Sequence, residues 1–362
     1  MNYILLLIYI IVVYLNIRYY SLGKTNNALA LFSSIIATLF LCGSNIAYSD
    51  SYVGELDISS YRNEYEQLNF LENIDFPLYY LFFYANYLGQ QLGLTFSQWW
   101  LLMSASSILL IYLACKTHNF NYNLVIGCFM AYYEIVFYSG LKAYYAFCFL
   151  FLAYGYLLKG DIKSKLLYIL FVCIAGGFHV MYYIFLVLLF RPKNASKKFM
   201  KAFVVGIIVF TIVMRLGGSV ISFMKPFFDY VGNDHINTYM DDKAVGNGFY
   251  IAIILEIVMV SIPYYIRKTK LRNGSCTQIT DNYYYSVLLT YVFCPFYALS
   301  LIFVRIITAF SLVVIGASSA EVGGSLLVRR QSLRLSLLMV GSYVFKQVFL
   351  DFPANVNFRI TA

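Results

Sequence analysis

Charge is what this chain has least of. Only 12% of its 362 residues are Asp, Glu, Lys or Arg, while 61% are hydrophobic; soluble domains carry roughly 25% charged residues. That imbalance excludes an ordinary water-soluble domain. The cysteines exclude two further frameworks. There are seven, an odd number, none in a Cys-x-x-Cys pair and most inside apolar runs, so they read as small apolar residues with no disulfide or metal role. Clustered carboxylates of the Asp-x-Asp kind are missing, so neither a metal nor a cofactor is expected. There is no internal repeat. The N-terminus has no basic leader and no small-residue cleavage site, so its first apolar run is expected to stay as a helix.

What is present is a series of apolar runs of about 17–22 residues, close to the roughly 20 that cross a bilayer core. The fold class read from them is all-α: a polytopic transmembrane bundle forming one integral membrane domain over residues 1–362. Ten runs read as full spans, at 2–17, 28–48, 97–115, 122–139, 141–158, 202–222, 249–266, 283–301, 303–320 and 332–350. Two are incomplete: an aromatic, uncharged stretch at 76–92 and an apolar run at 166–190 broken by Ala-Gly-Gly-Phe-His. Two polar, acidic loops lie at 49–75 and 223–248.

The net charge of +9 does not point to nucleic acid. The basic residues sit in short clusters between apolar runs, which is the mark of cytoplasmic loops. If every run crossed once, the lysines at 159–165 and those at 191–201 would face opposite sides, against that rule. Suppose instead that 166–190 enters, turns at Gly176-Gly177 and leaves on the same side. Let 76–92 also be a re-entrant or surface helix. The six inner basic clusters then hold 18 Lys/Arg and one acid, Asp161, and the two outer loops hold 11 acids. Both termini fall outside. The competing reading makes 166–190 one long tilted helix.

Ionisable groups inside apolar runs are expensive and mark function by default. With sides assigned, Glu134, Lys142, Arg215, Glu256 and Arg305 fall in the outer half of the bilayer. His179 follows the glycine pair near mid-depth at the tip of a hairpin, since about ten residues of helix rise roughly 15 Å. Three firm cations, Lys142, Arg215 and Arg305, suit a lipid-linked phosphate or diphosphate. The second half of the hairpin would turn its N-terminus to the same pocket. Each residue also has a plainer reading. Lys142 and Arg305 can snorkel to headgroups, Arg215 can pair with Glu256, Glu134 can pair with Lys142, and His179 can be a satisfied core histidine. The 36 tyrosines and 32 phenylalanines are mostly packing and belt residues. Tyr61, Tyr65, Trp99 and Trp100 are the candidates for stacking on sugar rings near the outer surface.

The segment GLKAYYAFCFLFLAYGYLLKGDIKSKLLYILFVCIAGGFHVMYYIFL resembles a block in the EpsG-like, Wzy-type exopolysaccharide polymerases. In that family a Gly-Ile/Leu-Arg turn opens a helix, a short basic turn follows, and Ala-x-x-Phe-His ends a half-helix. Lys142 stands where the family usually has arginine, and lysine cannot form a planar bidentate clamp on phosphate. His179 matches the family histidine. The stretch LDISSYRNEY, with Asp57 and Tyr61, resembles its Asp-x-x-x-Tyr loop, and Phe303-Val304-Arg305 its late aromatic-arginine motif. The likeness runs over most of the chain and is strongest from about 130 to 190; the Gly-rich AEVGGS stretch and the short tail after it carry no motif of this kind.

The resemblance implies a metal-independent glycosyltransferase at the outer face of the cell membrane. It would join lipid-linked oligosaccharide repeat units carried on undecaprenyl diphosphate, in exopolysaccharide or capsule synthesis. Lys142, Arg305 and Arg215 would bind the diphosphate, and His179 or Asp57 would act as base, with Glu134, Glu256 and Tyr61 in support. The implied partners are the lipid-linked oligosaccharide, membrane lipid, a flippase and a chain-length regulator. A flippase for the same lipid-linked unit, or a glycan ligase, stays open as the alternative.

Overall fold

The computed structural model describes residues 3–51, 57–67, 79–136, 141–192, 196–216, 246–298, 301–322 and 325–345. Among them every regular element is helical. The first eight are α1 (Tyr3–Ser21), α2 (Asn27–Ser51), α3 (Asp57–Glu66), α4 (Tyr80–Gln91), α5 (Phe96–His118), α6 (Tyr122–Val136), α7 (Leu141–Lys159) and α8 (Ile162–Phe178). A 3-10 run, Val180–Phe190, leads to α9 (Lys197–Leu216), α10 (Gly246–Arg272) and α11 (Gln278–Leu289). A second 3-10 run, Thr290–Ala298, leads to α12 (Leu301–Glu321) and α13 (Leu326–Phe345). These elements follow the predicted runs closely, although α13 begins well before residue 332. The predicted outer loop at 223–248 lies almost wholly outside the described residues.

On length and composition one described helix, α5, is long and apolar enough to cross a membrane. Shorter apolar stretches lie at Leu7–Ser21, Asn27–Leu39, Tyr122–Ala131, Val180–Phe190 and Ala309–Glu321; the count of ten spans rests on the sequence reading. The outer surface is oily. Leu7, Ile10 and Ile11 of α1, Leu31 and Ile35 of α2, and Ile208, Val209 and Ile212 of α9 are all exposed. Apolar faces this continuous do not suit water.

One end of the bundle gathers the basic turns. Asn123 at the start of α6 donates to Asn16 of α1 (2.8 Å) and to the Asn26 carbonyl before α2 (3.1 Å). Asn16 in turn donates to Ser33 of α2 at 2.6 Å. The Asn121 N–H reaches Ser319 near the end of α12 at 2.7 Å. Lys270 at the end of α10 meets Glu321 at 2.7 Å, and Glu321 also accepts from Thr280 of α11 at 2.5 Å. Arg267 pairs with Asp281 at 2.5 Å. Asp161, the acid expected here, caps α8 by accepting from the Ser164 N–H at 2.9 Å; hydrogen bonds from Ser164 hold its pKa below the usual carboxylate value. Asp281 and Glu321 were not expected at this end. Buried or half-buried lysine and arginine need partners, which these two supply.

The run at 166–190 is folded back and not one tilted helix. The Tyr168 hydroxyl of α8 donates to the Phe185 carbonyl of the first 3-10 run at 2.5 Å, whereas 17 residues of straight helix would separate them by about 25 Å. Arg191, just past the run, donates to the Leu157 carbonyl of α7 at 2.8 Å and to Asn282 of α11 at 3.2 Å. Asn282 donates to the Leu158 carbonyl at 2.8 Å. The hairpin therefore starts and finishes beside the Gly160 turn. Unequal chain lengths cover equal heights, since 17 α-helical residues rise about 25 Å and 11 residues of 3-10 helix about 22 Å.

The turn itself is displaced from the expected place. It comes at His179, whose extended backbone (φ −151°, ψ 110°) ends α8 and precedes the 3-10 run. Gly176 and Gly177 lie inside α8 and serve close packing. A Cβ on Gly176 would sit 2.5 Å from the Tyr183 ring, and one on Gly177 would sit 2.6 Å from Leu81 of α4. In intact cells, Lys163→Cys and Lys198→Cys should react with, or be shielded from, the same impermeant thiol reagent. Opposite accessibility would mean that the chain crosses between them.

Candidate functional site

Lys142 is the second residue of α7, and Lys159 is the last. Seventeen residues of helix put about 25 Å between them, so Lys142 stands at the end opposite the basic turns. Its ammonium is enclosed. The ring centroids of Tyr61, Tyr79, Phe82 and Phe83 lie 4.9, 5.0, 5.0 and 5.3 Å from Nζ. The Glu64 carboxylate reaches it with both oxygens, at 3.0 and 3.2 Å. Only 12% of the lysine side chain is exposed, against 32% of Glu64. Ring faces attract a cation by their quadrupole, worth about 2 kcal/mol or more when water is excluded. The carboxylate supplies the neutralising charge.

Two short helices build this cage. In α3, Tyr61, Glu64 and Tyr65 recur at i, i+3 and i+4 and share one face. Arg62 and Glu66 pair with each other at 2.8 Å on the outer side. Tyr61 lies against Phe82 (5.5 Å) and stacks on Trp100 of α5 (6.2 Å). Tyr65 stacks on Trp99 (6.3 Å) and donates to the Leu94 carbonyl at 2.7 Å. Burial pushes its phenol above the ordinary tyrosine pKa, so the hydroxyl remains a donor. Gln90 of α4 donates to the Tyr65 carbonyl, and Trp99 donates to Asn86 of α4 at 3.0 Å. With 12 residues, α4 is about 18 Å long and too short to cross a bilayer, as its sequence suggests. Its first turn carries Phe82 and Phe83 beside Tyr79.

Tyr79 connects the cage to the hairpin. The His179 ring stands edge-on to Tyr79 at 5.6 Å and to Tyr182 at 5.9 Å. The His179 N–H is bonded to the Ala175 carbonyl, and its carbonyl accepts from Tyr182, both at 2.9 Å. The lysine and the histidine, which come from separate parts of the predicted block, thus share Tyr79 as a neighbour.

Of the residues expected at the site, Lys142, His179 and Tyr61 come together. Glu256 does not join them: it is fully buried and accepts from Thr290 and, at 2.8 Å, from Tyr297. Both donors belong to the second 3-10 run, so its carboxylate is satisfied by hydroxyl groups there. The side chains of Asp57, Glu134, Arg215 and Arg305 lie outside the described residues. Their backbones fall in α3, α6, α9 and α12. Arg305, sixteen residues before Glu321, is about 24 Å along α12 from the basic turns. Trp99 and Trp100, expected as sugar platforms, are buried beneath α3 at 6% and 1% exposure. Glu64, Tyr79, Phe82 and Phe83 were missed. The i, i+3 spacing of Tyr61 and Glu64 was the one signal available for Glu64.

Fold and site together define an all-helical protein with a caged cation at one end and its basic turns at the other. The chain belongs to the EpsG family, whose model matches residues 50–356, and the whole site lies inside that match. Membership supports a polymerase-like role in polysaccharide biosynthesis at a membrane. No curated protein and no solved structure matches the chain.

A double-mutant cycle of Lys142→Met and Glu64→Gln, read by unfolding in detergent, should give a coupling of about 1–2 kcal/mol, discounted for the partial exposure of Glu64. Additive losses would show that the two groups meet without stabilising the fold.

Proposed function

We propose that this protein is a polysaccharide polymerase of the outer face of the cell membrane. It transfers a growing glycan from its undecaprenyl diphosphate carrier to a hydroxyl of a second lipid-linked repeat unit. The observation that carries this reading is the Lys142 cage, a cation held at the end opposite the basic turns and sharing Tyr79 as a neighbour with His179. By the positive-inside rule the basic end is cytoplasmic, so the cage faces outward, where flipped substrate arrives. The oily outer surface and the ten proposed spans fit a multi-pass bundle through which the long prenyl carrier is approached from lipid.

The bond broken joins the anomeric carbon to a diphosphate oxygen, and the leaving group takes the electron pair. Negative charge therefore develops on the diphosphate, where a fixed cation stabilises it most. Lys142 has that role, with Arg305 and Arg215 proposed beside it from their height on α12 and α9. The acceptor hydroxyl loses a proton as the new bond forms. His179, whose ordinary pKa lies near neutrality, is the proposed base, with Asp57 as the other candidate. No metal is invoked, because the cations of the chain itself meet the charge.

In cells, Lys142→Ala or His179→Ala should abolish long chains. Single repeat units should then accumulate on their lipid carrier, exposed outside, while the protein stays at normal levels. Lys142→Arg should keep part of the activity, since a cation remains. Units trapped on the cytoplasmic side would point to a flippase, and long lipid-linked chains never handed on would point to a ligase. Normal polymer in both alanine variants would sink the assignment, provided no second polymerase is present.

A further inference from the structure

The Lys142 site is already occupied by an anion, and the anion is part of the chain. An ammonium offers three donors and no acceptor. Here both Glu64 oxygens lie within 3.2 Å of it, and four ring centroids lie within 5.3 Å. A second anion that reaches Nζ has to compete with that carboxylate. Rings and carboxylate also differ in attachment. Phe82 and Phe83 belong to α4, which is packed on α8 at Gly177. Glu64 belongs to α3, whose Arg62 and Glu66 pair with each other and are more exposed.

Tyr65, next to the C-terminal end of α3, is fixed by the Leu94 carbonyl, Gln90, Trp99 and Phe96. Glu64 ties α3 to α7 through Lys142, and Tyr61 lies in the cage and also on Phe82 and Trp100. Removing the ion pair takes away the tie of Glu64 to α7 and leaves the Tyr65 anchor and the Tyr61–Trp100 stack in place, so α3 can shift without leaving the protein.

We propose that Glu64 is a resident counter-ion that closes the Lys142 site, and that the diphosphate of the incoming substrate displaces it and releases α3 from α7. This rests on the reading of Lys142 as the diphosphate ligand. A carboxylate is a singly charged occupant, whereas a diphosphate brings more charge and more oxygens to the same ammonium. The exchange keeps the lysine neutralised throughout, so it is never buried unpaired. It also ties opening of the site to arrival of the anion that the site receives.

The test uses the full-length protein in detergent with inorganic pyrophosphate as probe, read by calorimetry and by tryptic cleavage after Arg62 on α3. Pyrophosphate should bind the wild-type protein, and about tenfold more tightly after Glu64→Gln, because no carboxylate competes; tenfold corresponds to about 1.4 kcal/mol. Glu64→Asp keeps the charge on a shorter arm and should fall between the two. It carries the comparison alone if Glu64→Gln does not fold. Saturating pyrophosphate should speed cleavage after Arg62 in the wild type, and cleavage should already be fast in Glu64→Gln. Equal affinities in wild type and both variants, with binding still lost in Lys142→Met, would overturn the displacement and leave Lys142 as the anion ligand. Binding indifferent to Lys142→Met would overturn the reading on which the displacement depends.

Discussion

A lysine at the end of an apolar helix cannot be left bare. Withdrawing an ammonium from water costs several kcal/mol unless a counter-charge and good geometry offset it, and an unpartnered buried charge costs about 3–5 kcal/mol. Lys142 is exposed by only 12%, so the chain has to bring cover to it. That requirement accounts for two helices that do not cross the bundle. One of them, α3, supplies Glu64 and Tyr61, and α4, with the residue before it, supplies Tyr79, Phe82 and Phe83. The aromatic residues do two things at once. They exclude water from the ammonium, and they anchor both short helices on α5 and α8.

The second constraint is chain length. The basic turn after α7 and the basic stretch at Arg191 lie on one side, yet they are separated by an apolar run long enough to tempt a single crossing. The chain resolves this with a break at His179 and a tighter helix on the return. Arg191 then fixes the lower end by binding the Leu157 carbonyl and Asn282. The same break that satisfies the charge rule delivers His179 to the far end of the bundle, beside Tyr79. Topology and candidate chemistry therefore come from one event in the chain.

Much of this was legible in the residues. The charge asymmetry around 166–190 pointed to a hairpin, and the aromatic, uncharged stretch at 76–92 pointed to a short helix. Lys142 and His179 stood out because charge is scarce in apolar runs. The turn was misplaced because a Gly-Gly pair signals either a turn or a close approach, and Gly177 is needed for the approach of Leu81. Glu64 was hidden among the acids of a polar loop, since nothing in a linear reading says which one faces a lysine 78 residues away. The partners of Glu256 were hidden for a related reason: they include the hydroxyls of Thr290 and Tyr297, and neutral partners leave no charge pattern. Asp281 and Glu321 were overlooked because each sits alone at a helix end.

The central claim is that the caged lysine serves a transfer from lipid diphosphate. The most direct measurement reconstitutes the purified protein in liposomes with undecaprenyl-diphosphate-linked repeat units on the face of the cage. Glycan size and released carrier are then followed together. The account predicts a ladder of multimers with one undecaprenyl diphosphate freed for each bond made, and neither when Lys142 is alanine. Repeat units that cross the bilayer without lengthening, or a ladder unchanged by loss of Lys142, would contradict it.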